Sequence, residues 1–183
     1  MKIYTIGHSV HSKERFIEML AYADIEVLAD VRRFPASRKH PQFSKERMQE
    51  WLPESRIEYR HFTSLSGRRN KSDRIQDVLN DGWNNQSFHN YADYTLTDTF
   101  QKGIKQLEKL AEKKSVAYCC SERHPSRCHR LLISNWLAAN GWDVYHIIDG
   151  NKEEINILPH QQGQWGAMPI IENDATVVYP EVD

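Results

Sequence analysis

Short apolar runs and segments of helical period succeed one another along the chain. Residues 2–6 form a β-like run that stops at Gly7-His8-Ser9. Phe16, Leu20 and Ala23 then recur at helical spacing across residues 13–23, with Ser12 placed to cap that helix. Residues 25–31 predict a second buried strand, which turns from apolar to charged at Asp30-Val31-Arg32-Arg33. Pro35 and Pro41 mark the next segment as loop. Ser44 can cap a short helix carrying Met48, Trp51 and Leu52, which Pro53 ends; Ile57, Tyr59 and His61 alternate as a third strand does.

Residues 64–95 lack a clear period. Gly67, Gly82 and many Arg, Asn and Asp residues predict a long loop with at most a short helix near 73–80, and such loops are uncommon unless functional. From Thr97, Phe100, Ile104, Leu107 and Ala111 fall on one helical stripe. Residues 115–120 read as a strand, 121–127 as a loop, 127–140 as a helix closed by Gly141, and 142–148 as the last clear strand. The tail is rich in Asn, Gln, Gly and Pro, with an edge-strand candidate at 175–179. Strands alternating with helices predict an α/β fold: a single-domain, mostly parallel sheet of about five strands covered by helices. Residues 1–150 form the expected domain, and 151–183 an extension packed on it.

Composition narrows the class. The 183 residues include 39% hydrophobic and 27% charged residues, which suits one ordinary globular domain. No stretch approaches the roughly 20 apolar residues of a membrane span, and the first residues lack the pattern of a signal peptide. Three cysteines, two of them adjacent, are too few for a disulfide framework, so reduced thiols and a cytoplasmic setting are expected. The net charge of −1 conceals an uneven distribution. From Arg32 to Arg74 there are 12 Lys or Arg against 5 Asp or Glu, while the remainder carries 12 against 20. One surface can therefore attract an anion, although solvated intrachain pairing explains the same distribution.

In open parallel sheets, ligands gather beyond the carboxyl ends of the strands. The expected strand ends bring Thr5, His8, Ser9, Asp30 and Arg32 to one edge with Cys120 and Glu122. His8, Glu122 and His129 are candidate acid–base groups, and Asp30 a candidate orienting group, although each also reads as a plain structural partner. The densest segment runs from Cys119 to Arg130. There, Ser126 is placed to cap the following helix, which puts Cys128 in its first turn, where the dipole and the adjacent Arg127 and Arg130 favour a thiolate and make it more acidic than Cys120. Arg127 and Arg130 are candidates to hold a phosphate or carboxylate. Arg68 and Arg69 are further anion-binding candidates, and Tyr91 and Tyr94 could stack a base or simply pack the loop. A phosphatase-like or sulfurtransferase-like loop is a poor match, since six residues separate Cys120 from Arg127 and none is glycine. Zinc on Cys120, His124, Cys128 or His129 lacks the paired-cysteine spacing of structural sites, so neither metal nor cofactor is expected.

These residues also carry a resemblance. Thr5-Ile6-Gly7-His8-Ser9, Asp30-Val31-Arg32 with Pro35, and Pro41-Gln42-Phe43 resemble blocks of the DUF488 family, a prokaryotic family of unknown function. Tyr59-Arg60-His61-Phe62, Leu65-Ser66-Gly67-Arg68-Arg69, and Gly82-Trp83 through Tyr94 are similar to further blocks. Cys120-Ser121-Glu122, Pro125 and Cys128-His129-Arg130 resemble its most distinctive one. The resemblance implies one α/β domain with these residues around a single site, and no reaction. From the residues, the preferred expectation is an enzyme that binds an anionic nucleotide or nucleic acid and acts at a phosphoryl or glycosidic centre. The alternatives are a cysteine-dependent sulfur-transfer or redox enzyme and a non-catalytic module for an anionic small molecule. Oligomeric state is not legible.

Overall fold

In the computed structural model, which describes residues 1–182, the core is a six-stranded sheet in the order β3-β2-β4-β1-β5-β6. The strands are β1 (Lys2–Gly7), β2 (Val27–Asp30), β3 (Glu58–His61), β4 (Val116–Cys120), β5 (Asp143–Asp149) and β6 (Ile155–Pro159). All neighbours pair in parallel except β5 and β6. Parallel pairing requires a crossover over a sheet face, and the helices supply it. Helices α1 (Lys13–Tyr22) and α2 (Lys45–Trp51) cover one face, on Ile6, Leu28, Ala117 and Ile147. Helices α3 (Gln86–Tyr94), α4 (Asp98–Lys113) and α5 (Arg130–Ala139) cover the other, on Ile3, Val27, Val116 and Tyr118. The architecture is α/β in three layers.

The capping residues act as the sequence implies for the first two helices, and Thr97 does the same for α4. Ser12, Ser44 and Thr97 accept from the backbone amides of Arg15, Arg47 and Phe100. Elsewhere the structure corrects the expectation. The segment read as irregular contains α3, capped by Asn85, whose side chain accepts from the Phe88 amide; residues 77–79 form only a single 3₁₀ turn. Helix α3 carries few aliphatic side chains. Tyrosine hydroxyls seat it, Tyr91 donating to the Leu65 carbonyl at 2.6 Å and Tyr94 to that of Ser64 at 2.7 Å.

Ser126 does not cap α5. Pro125 opens a separate 3₁₀ turn, Pro125–Arg127, in which the Ser126 amide donates to His124 Nδ1 at 3.2 Å. Cys128 then adopts an extended backbone (φ −148°, ψ 174°), so it stands before the helix and not in its first turn. The tail adds β6 as an antiparallel sixth strand, and β7 (Ile170–Ile171) pairs with β8 (Val177–Val178) in a small hairpin. Val177, Val178 and Tyr179 are buried against the domain.

Close backbone approach at the carboxyl edge fixes one glycine. A Cβ on Gly7 would lie 1.7 Å from the Glu122 carbonyl oxygen and 3.0 Å from the Arg130 guanidinium. Gly7→Ala is therefore expected to destabilise the fold by about 3 kcal/mol, because the first obstacle is backbone. Urea denaturation checks this, and an unchanged midpoint would contradict so close an approach of β1 to the loop after β4.

Candidate functional site

Strand alternation sorts the candidates. Cys119 and Cys120 are adjacent, so their side chains leave opposite faces of β4. Cys119 enters the α1–α2 layer, where burial holds its thiol well above the usual range. Cys120 enters the layer of α3–α5, as does Thr5, whereas Asp30 and Arg32 meet α2 and its preceding turn. The expected single pocket is thus two polar clusters, one on each side of the same sheet edge.

Arg130 organises the first cluster. It is fully buried, at 0% exposure. Its Nε donates to Cys120 Sγ at 2.9 Å and to Cys128 Sγ at 3.4 Å. One terminal nitrogen donates to Thr5 Oγ1 at 2.8 Å, and the other to the carbonyls of Glu122 at 2.6 Å and Arg123 at 3.4 Å. Among the described residues its partners are two sulfurs, a hydroxyl and two carbonyls, with no carboxylate. A buried cation requires compensating charge, and here a thiolate is what can provide it.

The two sulfurs lie 2.7 Å apart, and both cysteines are unbridged. Their environments separate them. Burial pushes the Cys120 thiol well up, and its hydrogen bond toward Cys128 adds to the effect. Burial would raise Cys128 as well, but the Cys120 hydrogen bond and the Arg130 charge outweigh it and bring Cys128 down to about 7. Cys128 is also the more exposed of the pair. It is the more acidic thiol, as the sequence predicts; the Cys120 hydrogen bond and the expected Arg130 charge lower it, whereas the expected helix first turn does not act, since Cys128 precedes α5.

A chain of hydrogen bonds runs behind the guanidinium. Thr5 Oγ1 lies 2.7 Å from His146 Nδ1, His146 Nε2 lies 2.9 Å from His160 Nδ1, and His160 Nε2 lies 2.8 Å from Asn135 Oδ1. Arg130 donates to Thr5, so the threonine hydroxyl is free to donate onward, and each imidazole can pass a donor to the next. Burial holds His146 down to about 2 and His160 to about 4, so both are neutral. Neither stands out in the sequence, although His146 is a polar residue inside an apolar strand.

His129 flanks the thiols. Its Nε2 donates to the Val31 carbonyl at 2.7 Å, and its ring packs on Tyr91 with centroids 5.0 Å apart. Burial lowers it to about 4 despite that hydrogen bond. Gly67 is needed here, since a Cβ would meet His129 Nδ1 at 2.7 Å.

In the second cluster Arg32 grips Asp30 with two nitrogens, at 2.9 and 2.8 Å, and donates to the Phe43 carbonyl at 2.7 Å. Tyr59 donates to the same carboxylate. His8 stacks on Phe43 with centroids 4.5 Å apart and donates to the Ser9 carbonyl. Burial, then the Arg32 charge, lower it to about 4. Arg69 is likewise spent inside the fold, on Thr63 and Ser66 and over the Tyr94 ring at 3.8 Å. Tyr91 and Tyr94 use their hydroxyls on backbone carbonyls. Arg68, Glu122 and Arg127 are exposed, and Glu122 reaches the thiol cluster only through its carbonyl. A groove of about 560 Å³ lies elsewhere, between β3 and α4, lined by Arg60, His61 and several lysines.

A family model, described as "Domain of unknown function DUF488", matches residues 12–137, more than half the chain. The chain belongs to the DUF488 family. The match spans both thiols and Arg130, whereas the DUF488 resemblance at Thr5–Ser9 falls outside the matched residues. No curated protein and no solved structure matches. Among the described residues no helix is long and apolar enough to cross a membrane.

Two outcomes are expected. Cys128 alkylation should reach half its limiting rate near pH 7, and Arg130→Met should move that midpoint up by at least about one unit, by removing the cation. A folded Arg130→Met protein that keeps the midpoint near 7 would contradict the assignment.

The second concerns acid. His8, His129 and His160 are held at about 4, below their ordinary 6.5, so the unfolded chain binds more protons as the pH falls. Their contribution is fully present above pH 6.5 and is lost toward pH 4, at up to roughly 3 kcal/mol for each histidine. Denaturation followed from pH 8 to pH 4 checks this; stability that is flat across that window would refute it.

Proposed function

We propose that the protein is a cysteine-dependent redox enzyme of the thiol–disulfide exchange type, with Cys128 as the attacking thiol and Cys120 as the resolving one. The observation that carries this reading is the contact of the two sulfurs beneath one buried guanidinium, with Arg130 Nε at 2.9 and 3.4 Å from them. Exchange favours an attacking thiol whose pKa lies near the ambient pH, and Cys128 has that property. A raised, buried thiol in contact with it suits the second step.

The Cys128 thiolate attacks one sulfur of a substrate disulfide; a mixed disulfide forms and the other substrate sulfur leaves as a thiolate. Cys120 then attacks Cys128 Sγ, its proton passing to the departing second thiolate. The products are two substrate thiols and a Cys120–Cys128 disulfide, and an external dithiol restores the reduced pair. Thr5 holds the guanidinium in place, backed by His146. Arg127, exposed and adjacent to Cys128, gives an anionic substrate a cation to meet, which keeps the expected anion preference within this reading.

The phosphoryl or glycosidic alternative has less support, because Arg32, Arg69 and Arg130 are engaged within the protein. The thiol reading predicts that Cys120→Ser accumulates a mixed disulfide on Cys128 when treated with a small disulfide, whereas the wild type releases both halves and forms the internal bond. Cys128→Ser should lose at least about 100-fold in the rate of the first step, since a buried thiol of raised pKa must replace it. Mass spectrometry of alkylated peptides reads all three states. Equal reaction in Cys128→Ser, or no trapped adduct in Cys120→Ser, would refute the proposal.

A further inference from the structure

A separate group of ligand-type side chains joins α3 to the segment before it. Asp77, His89 and Asp93 each place one ligand atom within 4.8 Å of the others. Asp93 is fully buried, and its two oxygens differ. Oδ1 accepts from Asn80 Nδ2 at 2.7 Å, whereas the buried Oδ2 has no hydrogen-bond partner among the described residues. An unpartnered carboxylate oxygen shielded from water is costly and calls for a cation.

That oxygen faces His89 Nε2 at 3.6 Å, and Asp77 Oδ1 lies 3.9 Å from the same nitrogen. Three donor atoms at such separations can converge on one ion at bond lengths of about 2.0–2.2 Å after small side-chain adjustments. The other imidazole nitrogen, Nδ1, lies 3.9 Å from Asp81 Oδ1. A carboxylate behind the non-ligating nitrogen is the arrangement that orients a metal-bound histidine. Lys71 sits 3.5 Å from Asp77 Oδ2, on the carboxylate oxygen not turned to His89.

The frame is built before any ion arrives. Helix α3 carries His89 and Asp93 four residues apart, on one face. Asn80, also fully buried, spends its Oδ1 on the Tyr179 amide at 3.0 Å, and the Gly82 amide donates to the Tyr179 carbonyl at 2.7 Å. Segment 77–82 is thus pinned by the C-terminal strand while its acidic side chains face α3.

We propose that Asp77, His89 and Asp93 bind one divalent transition-metal ion of the Zn²⁺ class, with Asp81 positioning His89 through Nδ1. Mixed imidazole and carboxylate donors suit such ions. The ion ties segment 77–81 to α3, the helix whose Tyr91 packs on His129 beside the thiols. It is separate from Cys120 and Cys128, and the proposal does not depend on the redox reading.

The test uses the full-length protein, stripped with a chelator and dialysed against Zn²⁺, with bound metal counted by mass spectrometry. One equivalent is expected in the wild type and in Cys128→Ser, with loss of stoichiometric binding in His89→Gln and Asp93→Asn. Asp81→Asn should weaken binding by about 10–100-fold, as loss of an orienting partner does. Zn²⁺ should raise the melting temperature of the wild type and leave that of Asp93→Asn unmoved. Should Asp93→Asn fail to fold, the exposed Asp77→Asn carries the same comparison. Co²⁺ should give visible ligand-field bands without sulfur-to-metal charge transfer. Absence of stoichiometric Zn²⁺, equal retention in the His89 and Asp93 variants, or a sulfur charge-transfer band would each overturn the proposal.

Discussion

A guanidinium buried without a carboxylate partner is the constraint on which the rest of the candidate site depends. Arg130 brings a full charge into the layer between the sheet and α5, and ordinary carbonyls and hydroxyls solvate that charge only in part. Its remaining need falls on two sulfurs. The same side chain touches β1 through Thr5, β4 through Cys120, and the connecting loop through the Glu122 and Arg123 carbonyls. One residue at the first position of α5 therefore holds the shape of the loop and, together with the Cys120 hydrogen bond, lowers the Cys128 thiol. The close packing of Gly7 against Glu122 follows from the same convergence.

The opposite side of the sheet edge solves a similar problem in another way. Arg32 is also buried, but Asp30 stands two residues earlier on the same strand end and meets it with both oxygens. The pair is closed further by Tyr59 and the Phe43 carbonyl, which leaves little of either group free for a ligand. The contrast separates two uses of arginine within one fold. A carboxylate neutralises Arg32 permanently, whereas Arg130 depends on a sulfur whose charge changes with protonation and oxidation.

Much of the fold was legible because periods and caps agreed locally. The apolar stripe of α4 and the capping serines of α1 and α2 each pointed to the element that forms. Helix α3 was not legible, since hydroxyls reaching distant carbonyls seat it, and no local pattern shows that. Strand β6 was missed because an edge strand with Ile155 and Ile157 half-buried shows only a faint alternation. At the site, the segment from Cys119 to Arg130 stood out by density. Its sidedness did not, because β4 is apolar on both faces and Val116-Ala117-Tyr118-Cys119 shows no polar phase. Ser126 looked like a cap by type, yet Pro125 took the turn one residue early. His160 and the cluster of Asp77, His89 and Asp93 were invisible for a different reason. Their meaning arises only when loops return to helices from which the sequence separates them.

The sharpest measurement is the fraction of Cys120–Cys128 disulfide as a function of redox potential in glutathione buffers, read by differential alkylation and peptide mass. Oxidation removes the thiolate that compensates Arg130, so the reduced form is favoured and the disulfide is held at a comparatively oxidising potential. A single two-electron transition, confined to these two thiols, is expected, with a midpoint less negative than about −230 mV. A pair that stays reduced throughout, or that takes up glutathione on each sulfur without forming the internal bond, would contradict it.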